Sequence, residues 1–261
     1  MIRTSQTILG SGDLLREWTA RTIRARYQQS MLGWLWAVVQ PAAQAIILAV
    51  VFTRVVPIDV GGVPYYLFAF VATAPWAFFA GSLTDMTDSL VSNMSLVNKI
   101  YFPREVLPIA SMVARLADLA VAAAFFGLAV LFYDAPLPLG PLIAMPAVVL
   151  VHIALTTGLG LAGAALNVFV RDVRPILALV LQLWFYASPV LYPVEKVPAS
   201  LRPYYDLNPM VGIIDGYRSI LLAGALPDGR SFALAAGISV GICVAGYGLF
   251  KAVEYRFADV V

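Results

Sequence analysis

Long runs without a charged residue constrain this sequence more than any other feature. Five such runs cover residues 27–53, 60–84, 135–170, 175–194 and 231–250. Each is at least as long as the ~20 residues that a helix needs to cross the hydrocarbon core of a bilayer. A sixth stretch, 106–133, is apolar except for Arg115 and Asp118. The sequence therefore predicts an all-α integral membrane protein with six transmembrane helices.

Composition excludes two other classes of protein. Only 12% of the 261 residues are charged and 61% are hydrophobic, whereas soluble domains carry about 25% charged residues. The alternating segments of ~10 residues that mark outer-membrane barrels are absent from the sequence. The net charge of +2 gives no reason to expect nucleic acid as a partner.

The distribution of cationic residues predicts the orientation of the chain. Eleven of the 17 Lys and Arg residues fall on the side of the membrane that carries the N-terminus, five fall on the other side, and Arg115 lies within a span. Cytoplasmic loops carry the excess of Lys and Arg, so both termini are expected in the cytoplasm. Residues 1–13 contain no apolar run of the kind found in signal peptides, so no cleaved signal is expected.

These observations predict a simple layout. Residues 1–30 form a cytoplasmic N-terminal segment, residues 31–251 form the transmembrane domain, and residues 252–261 form a cytoplasmic tail. The expected spans are about 31–55, 64–86, 106–133, 141–167, 175–192 and 231–250.

Leu14 to Tyr27 has the pattern of an amphipathic helix. Its apolar side chains, including Trp18, fall on one face, and arginines such as Arg16 and Arg21 occupy the opposite face. This pattern predicts a helix that lies in the membrane interface. Two roles remain open for it: a passive anchor, or an element that moves or contacts substrate.

Residues 195–230 contain two apolar pieces, "LNPMVGII" and "SILLAGALP", that are too short to span a bilayer. Pro209, Gly212 and Gly224 interrupt the stretch. We expect short re-entrant or interfacial helices before the last span, because irregular backbone at membrane depth must be buried in protein or line a cavity.

The ionisable residues give no catalytic or metal site. The only histidine, His152, has no Cys, Asp or Glu at ligand spacing. Asp85 and Asp88 are three residues apart at the end of the second span, where a solvated helix end is favoured over a paired-carboxylate site. Arg115 and Asp118 have the same spacing, which favours a structural or subunit-interface pair over a proton relay.

Energy for transport must come from another polypeptide. The sequence has no G-x-x-x-x-G-K-[ST] loop, and no soluble stretch is long enough for a nucleotide-binding domain. The chain itself is therefore expected to bind no cofactor. A charged, aromatic and proline-broken piece, "NKIYFPREVLP" (98–108), lies in the predicted cytoplasmic loop between the second and third spans.

Three stretches resemble the permease subunits of type-2 ABC exporters, in particular the exporters of O-antigen, capsule and teichoic acid. They are "RARYQQSMLGWLWAVVQP" (24–41), "PWAFFAGSLTDMTDSLVSNMSLVNKIYFPREVLP" (75–108), and "LNVFVRDVRPILALVLQLWFYASPVLYPVEKVP" (166–198) followed by "LNPMVGIIDGYRSILL" (207–222). The order and spacing of the motifs agree across almost the whole chain.

The resemblance implies an assembly. Such permeases form homodimers and pair with two copies of a separate ATP-binding subunit, which holds ATP and Mg²⁺. By resemblance, "SLVNKIYFPRE" (95–105), which we term the coupling segment, docks on that subunit; an ordinary interhelical loop is the alternative. Aromatic anchors ringed by polar contacts suit such docking. The expected docking residues are Leu96, Lys99, Tyr101, Phe102, Arg104 and Glu105.

The resemblance also implies a cargo and a location, namely a lipid-diphosphate-linked glycan crossing the bacterial inner membrane among membrane lipids. Aromatic side chains of the first and fifth spans suit contact with pyranose rings, although core packing or an interface belt would also explain them. They are Trp34, Trp36, Trp184, Phe185, Tyr186 and Tyr192. Arg21, Arg24 and Arg26 are expected at the cytoplasmic mouth, where they would bind the carrier diphosphate, form a gate or bind anionic lipid.

Two other functions remain open. A related permease would export a drug or a small lipid. A membrane-embedded transferase of lipid-linked sugars would need clustered acidic or histidine residues on one aqueous side, and the sequence contains no such cluster.

Overall fold

The computed structural model of the chain describes residues 2–28, 30–60, 62–99, 102–132 and 139–258. Within these ranges the structure is helical and contains no strand, as the sequence predicts. The α-helices, in chain order, are α1 (Ile2–Tyr27), α2 (Trp36–Val50), α3 (Tyr65–Ser92), α4 (Met94–Lys99), α5 (Val106–Phe132), α6 (Leu139–Leu142), α7 (Met145–Phe169), α8 (Val173–Tyr186), α9 (Arg202–Tyr205), α10 (Pro209–Leu221) and α11 (Gly229–Val253).

Shorter helical turns extend several of these helices. A 3₁₀ turn, Gly33–Leu35, precedes α2, and a π-helical turn, Val51–Val55, follows it. A 3₁₀ turn, Glu254–Ala258, continues α11. Another 3₁₀ turn, Val194–Lys196, follows α8.

Five helices in the described part of the chain are long and apolar enough to cross a membrane. They are Gly33–Val55, Tyr65–Ser92, Val106–Leu128, Gly140–Phe169 and Gly229–Phe257. The multi-pass prediction is therefore confirmed.

The fifth predicted span, 175–192, is only partly a regular helix. Helix α8 has 14 residues, about 21 Å at ~1.5 Å per residue, which is less than the ~30 Å hydrocarbon core. It ends at Tyr186, three residues before Pro189, which has no N–H to continue a helix. The buried guanidinium of Arg218 in α10 donates hydrogen bonds to the carbonyl oxygens of Pro189 and Val190, and so holds the turn that follows α8.

Glycines bring α3, α7 and α11 into close contact. A Cβ atom added to Gly246 of α11 would lie 2.0 Å from the carbonyl oxygen of Gly158 in α7. A Cβ on Gly160 would lie 2.2 Å from the sulfur of Met86 in α3. Small residues allow such close backbone approach between membrane helices. These three helices therefore form the most tightly joined part of the bundle.

Two apolar clusters divide the core along the bundle. One surrounds the first half of α3 and packs against α10, with Phe68, Phe79 and Ile213 buried. The other joins α4 and the ends of α7 and α11, with Val97 and Phe257 buried. We call these two regions the α10 end and the α1 end of the bundle, because Trp18 of α1 packs against the second cluster.

Candidate functional site

A cavity of about 550 Å³ opens among α2, α3, α5 and α8. Its wall combines aromatic rings, such as those of Trp36 and Trp76, with the side-chain amides of Gln40, Gln44 and Gln182. Amides both donate and accept hydrogen bonds, and ring faces contact flat apolar groups. Polar groups within a spanning bundle are expensive and mark solute paths. The wall therefore suits a solute that carries both hydroxyls and apolar faces.

An arginine–aspartate cluster from α1, α3 and α5 lies at one edge of this cavity. Arg26 contacts Asp85 at 2.5 Å and Asp118 at 2.8 Å. Arg115 contacts Asp85 at 2.7 Å and Asp118 at 3.7 Å. Arg26, Arg115 and Asp118 also line the cavity. The two arginines and two aspartates balance in charge, so the cluster fastens α1 to the two spans without leaving a net charge.

Tyr27 completes the cluster from α1. Its hydroxyl donates a 2.5 Å hydrogen bond to Oδ1 of Asp118. Burial, together with this hydrogen bond and the charge of Asp118, raises the pKa of Tyr27 to about 12. The phenol therefore stays protonated at neutral pH and acts as a donor.

Packing around Arg115 explains one small residue of α3. A Cβ atom on Gly81 would lie 3.0 Å from Cζ and Nε of Arg115. The absence of a side chain at this position leaves room for the guanidinium against α3. Arg115 can then reach Asp85, which lies four residues further along the same helix.

The cluster changes two interpretations made from the sequence. The expected pair of Arg115 and Asp118 is present, but each residue makes a shorter contact with a partner from another helix. The interpretation of Asp85 as part of a solvated helix end is wrong, because its carboxylate contacts two arginines. Asp88 is no more solvated, because its side chain is 24% exposed and pairs with Arg174 at 3.3 Å, and α3 continues to Ser92.

The three arginines predicted at the cytoplasmic mouth differ in their surroundings. Arg26 is held by two carboxylates. Arg21 and Arg24 are exposed on α1, and the guanidinium of Arg21 lies 4.6 Å from the ring centroid of Trp18.

Three of the six predicted path aromatics line the cavity, namely Trp36, Phe185 and Tyr186. Trp36 and Tyr186 are exposed, whereas Phe185 is buried edge-to-face against Trp76 at 5.4 Å. The ring of Trp36 comes from α2, and those of Phe185 and Tyr186 come from α8.

The other three aromatics lie elsewhere. Trp34 stacks on Tyr27 at 4.8 Å, beside the arginine–aspartate cluster. Trp184 and Tyr192 line a second cleft, of about 720 Å³, at the α10 end, together with Tyr204 and other residues. Nε1 of Trp184 donates a 2.8 Å hydrogen bond to Asn208. Five of the six predicted residues are therefore distributed over two cavities, and Trp34 lines neither of them.

The coupling segment combines exposed and packed side chains. In α4, Lys99 is exposed and Leu96 is half-buried. Phe102 packs against the apolar cluster of the α1 end. Tyr101 lies outside the described residues.

The two charged residues at the end of the segment contact the C-terminal end of α11. Nζ of Lys251 donates a 2.8 Å hydrogen bond to Oε1 of Glu105. Arg104 donates a hydrogen bond to the backbone oxygen of Glu254. Sequence reasoning missed Lys251 and Glu254, because they lie about 150 positions from these partners.

No group of three or more metal-ligating side chains occurs among the residues that the structure describes. His152 is fully buried, with its ring 4.9 Å from that of Phe78 and 6.0 Å from that of Tyr217. Its environment is that of a packed core residue.

Comparison with known proteins identifies the family. The model of the ABC-2 type transporter family matches residues 14–222. The chain is 29% identical to an O-antigen export system permease protein, RfbA, of Myxococcus xanthus over 261 residues, which is 99% of each chain. It is 27% identical to an RfbA of Klebsiella pneumoniae over 95% of each chain. It is 22% identical to the polysialic acid transport protein KpsM of Escherichia coli over 90% of this chain and 91% of that one.

The family model covers well over half of the chain, including the cavity and the coupling segment. The resemblance identified from the three sequence stretches is thereby confirmed. The chain belongs to the ABC-2 type transporter family.

Proposed function

We propose that this chain is the permease subunit of an ABC exporter that moves a polysaccharide out of the cytoplasm. The observation that carries the proposal is the cavity among α2, α3, α5 and α8, whose wall mixes aromatic rings with glutamine amides. The names of the relatives, which refer to export of O-antigen and transport of polysialic acid, support the same class of cargo.

The chemistry of the wall suits a sliding sugar chain. A pyranose ring has a flat face of C–H groups, which packs on aromatic rings such as those of Trp36 and Tyr186. Its hydroxyls exchange hydrogen bonds with the amides of Gln40, Gln44 and Gln182. Neutral contacts of this kind are individually weak, so successive sugars can bind and leave.

ATP hydrolysis belongs to a separate partner in this proposal. The sequence has no phosphate-binding loop, so ATP and Mg²⁺ bind to two copies of an ATP-binding subunit. The permease is a homodimer in which α2 and α8 of each copy face a shared path. The exposed cavity aromatics of these helices, Trp36 and Tyr186, support this arrangement.

In this proposal α8, together with the turn that follows it up to Tyr192, is the fifth of six spans in chain order. Both termini lie in the cytoplasm and the protein resides in the bacterial inner membrane. The unequal distribution of Lys and Arg supports this orientation.

The cargo carries a lipid diphosphate, and exposed arginines of α1 make its first contact. Arg21 and Arg24 suit this role because they are exposed. Arg26 is already neutralised by Asp85 and Asp118, so we assign it to holding α1 in place. Guanidinium groups bind phosphate oxygens in a bidentate manner.

Removing the chain from a cell that makes a surface polysaccharide tests the proposal. We expect the glycan to disappear from the surface and accumulate inside, and export to return when the wild-type chain is supplied. Normal surface glycan with altered sensitivity to drugs would favour the drug or small-lipid permease. Turnover of a lipid-linked sugar by the purified chain alone would favour the transferase.

A further inference from the structure

The coupling segment is joined to the last spanning helix by charged contacts. Nζ of Lys251 lies 2.8 Å from Oε1 of Glu105 and 3.1 Å from Oε2 of Glu254. Arg104 donates to the backbone oxygen of Glu254. We call these four residues the C-terminal bracket. Lys251 therefore links the carboxylate of the coupling segment to the carboxylate of the 3₁₀ turn that follows α11.

Apolar packing of Phe257 holds the 3₁₀ turn of the bracket in place. Phe257 is fully buried, with its ring 5.5 Å from that of Phe250 and 5.8 Å from that of Phe169. The guanidinium of Arg104 lies 5.8 Å from the Phe257 ring. The turn that supplies Glu254 is thus anchored in the core and is not a free end that could follow the coupling segment independently.

The bracket is connected through Lys251 to α3, α7 and α11, the most tightly packed helices of the bundle. Lys251 belongs to α11. In this helix, Gly246 packs so closely on Gly158 of α7 that an added Cβ atom would lie 2.0 Å from the carbonyl oxygen of Gly158. Helix α7 in turn contacts α3 through Gly160 and Met86. Closely packed helices move together because their interiors resist deformation. A displacement of the coupling segment would therefore move α11, α7 and α3 as one unit.

The charges of the bracket are partly withdrawn from water. The Glu105 side chain is 19% exposed and that of Lys251 is 33% exposed. Removing one partner of such a pair leaves the other charge without its compensation. The contact holds the coupling segment in a defined direction against α11, which an apolar surface alone would not specify.

We infer that Lys251 and Glu254 are positioning residues that couple ATP hydrolysis to export, acting through Glu105 and Arg104 of the coupling segment. The inference rests on the proposed function, since it needs an ATP-binding subunit that pushes on this segment. The bracket carries that push into α11, α7 and α3. Without it the segment moves and ATP is hydrolysed, but α11 and α7 do not follow α3 and α5, the two cavity helices that flank the segment in the chain.

The test uses the full exporter complex reconstituted in proteoliposomes. It compares the wild type with Lys251→Met, Glu105→Gln, the double variant and Lys251→Arg. We measure co-purification of the ATP-binding subunit, thermal stability, and the number of ATP molecules hydrolysed per glycan exported. Arg230→Met serves as the matched control, because it removes an exposed cation from the opposite end of the same helix.

We expect Lys251→Met and Glu105→Gln each to raise the ratio of ATP hydrolysed to glycan exported by roughly fivefold, while the ATP-binding subunit still co-purifies. The double variant should be no worse than either single variant, because both remove the same contact. Lys251→Arg should restore most of the coupling, and Arg230→Met should leave it unchanged.

Two results would overturn the inference while leaving the proposed function intact. One is normal coupling in Lys251→Met. The other is a parallel fall of stability, export and ATP hydrolysis with an unchanged ratio, which would show a structural role only. A wild-type chain that neither binds an ATP-binding subunit nor exports glycan would overturn the proposed function, and the inference with it.

Discussion

Arg26 of α1 and Asp85 of α3, 59 positions apart in sequence, form an ion pair of 2.5 Å. Through this pair and the contact of Arg26 with Asp118, the N-terminal helix is attached to two spans at the edge of the cavity. The position of α1 is therefore tied to the wall of the candidate path. Mutations in the arginine–aspartate cluster therefore test how α1 is attached to the two spans.

Asp85→Asn should destabilise the protein, because it removes the negative charge that both Arg26 and Arg115 contact. We expect a loss of about 1–2 kcal/mol, less than the ~3–5 kcal/mol of a fully buried pair, since water screens a side chain that is 27% exposed. Thermal unfolding of the purified protein measures the loss. Asp88→Asn is the matched control, and equal losses in the two variants would contradict the account.

Tyr27→Phe tests the hydrogen bond to Asp118 and predicts a dependence on pH. Below the ordinary tyrosine pKa of 10.0, the wild type should be more stable than the variant by about 1–2 kcal/mol. The folded pKa of about 12 lies above the ordinary value, so this advantage is fully present below pH 10 and is lost as the pH rises toward 12. Unfolding of both proteins between pH 7 and 12 measures the difference, and a constant difference up to pH 12 would contradict the assignment.

Arg24→Lys and Arg26→Lys should fail in different ways. Lysine lacks the planar fork that lets Arg26 contact two carboxylates through separate nitrogens. We therefore expect Arg26→Lys to lower thermal stability, and Arg24→Lys to lower export severalfold at unchanged stability and unchanged dimer assembly. Full export by the Arg24→Lys variant would show that α1 acts as an electrostatic anchor.

Trp36→Ala and Tyr186→Ala should slow export if the cavity is the sugar path. Both side chains are exposed within the cavity, so their removal deletes contacts with the glycan and few contacts with the core. Phe125→Ala is the control, because this aromatic residue is 47% exposed and lies outside the cavity. Cysteines at positions 36 and 186 that resist aqueous thiol reagents in every nucleotide state would exclude a role in lining the path.

Much of the fold can be predicted from the sequence, because a helix that crosses the hydrocarbon core needs ~20 consecutive apolar residues. The uncharged runs locate the helices that are long enough to span. The run 231–250 agrees with α11 within three residues at each end, whereas the run 60–84 stops eight residues before α3 ends at Ser92. The run 175–194 does not reveal by hydropathy that α8 ends at Tyr186. Pro189 was the available signal for that end.

The site was harder to predict because its contacts join distant positions. Arg115 and Asp118 are recognisable as a pair from their spacing, but Arg26 and Asp118 are 92 positions apart. Lys251 and Glu105 are 146 positions apart. A single sequence gives no information on which helices are neighbours or at what depth their charges meet. The docking role predicted for the coupling segment stays a prediction, now with Arg104 and Glu105 in contact with α11.

Transport by the reconstituted complex shows directly whether this chain moves a glycan across a membrane. Proteoliposomes that contain this chain and its ATP-binding subunit receive a lipid-diphosphate-linked glycan on the ATP-binding face, and protection of the glycan from added glycosidase is followed with time. We expect protection that requires ATP and falls in the Trp36→Ala and Tyr186→Ala variants but not in Phe125→Ala. Glycan that stays fully accessible to the glycosidase with ATP present would contradict it.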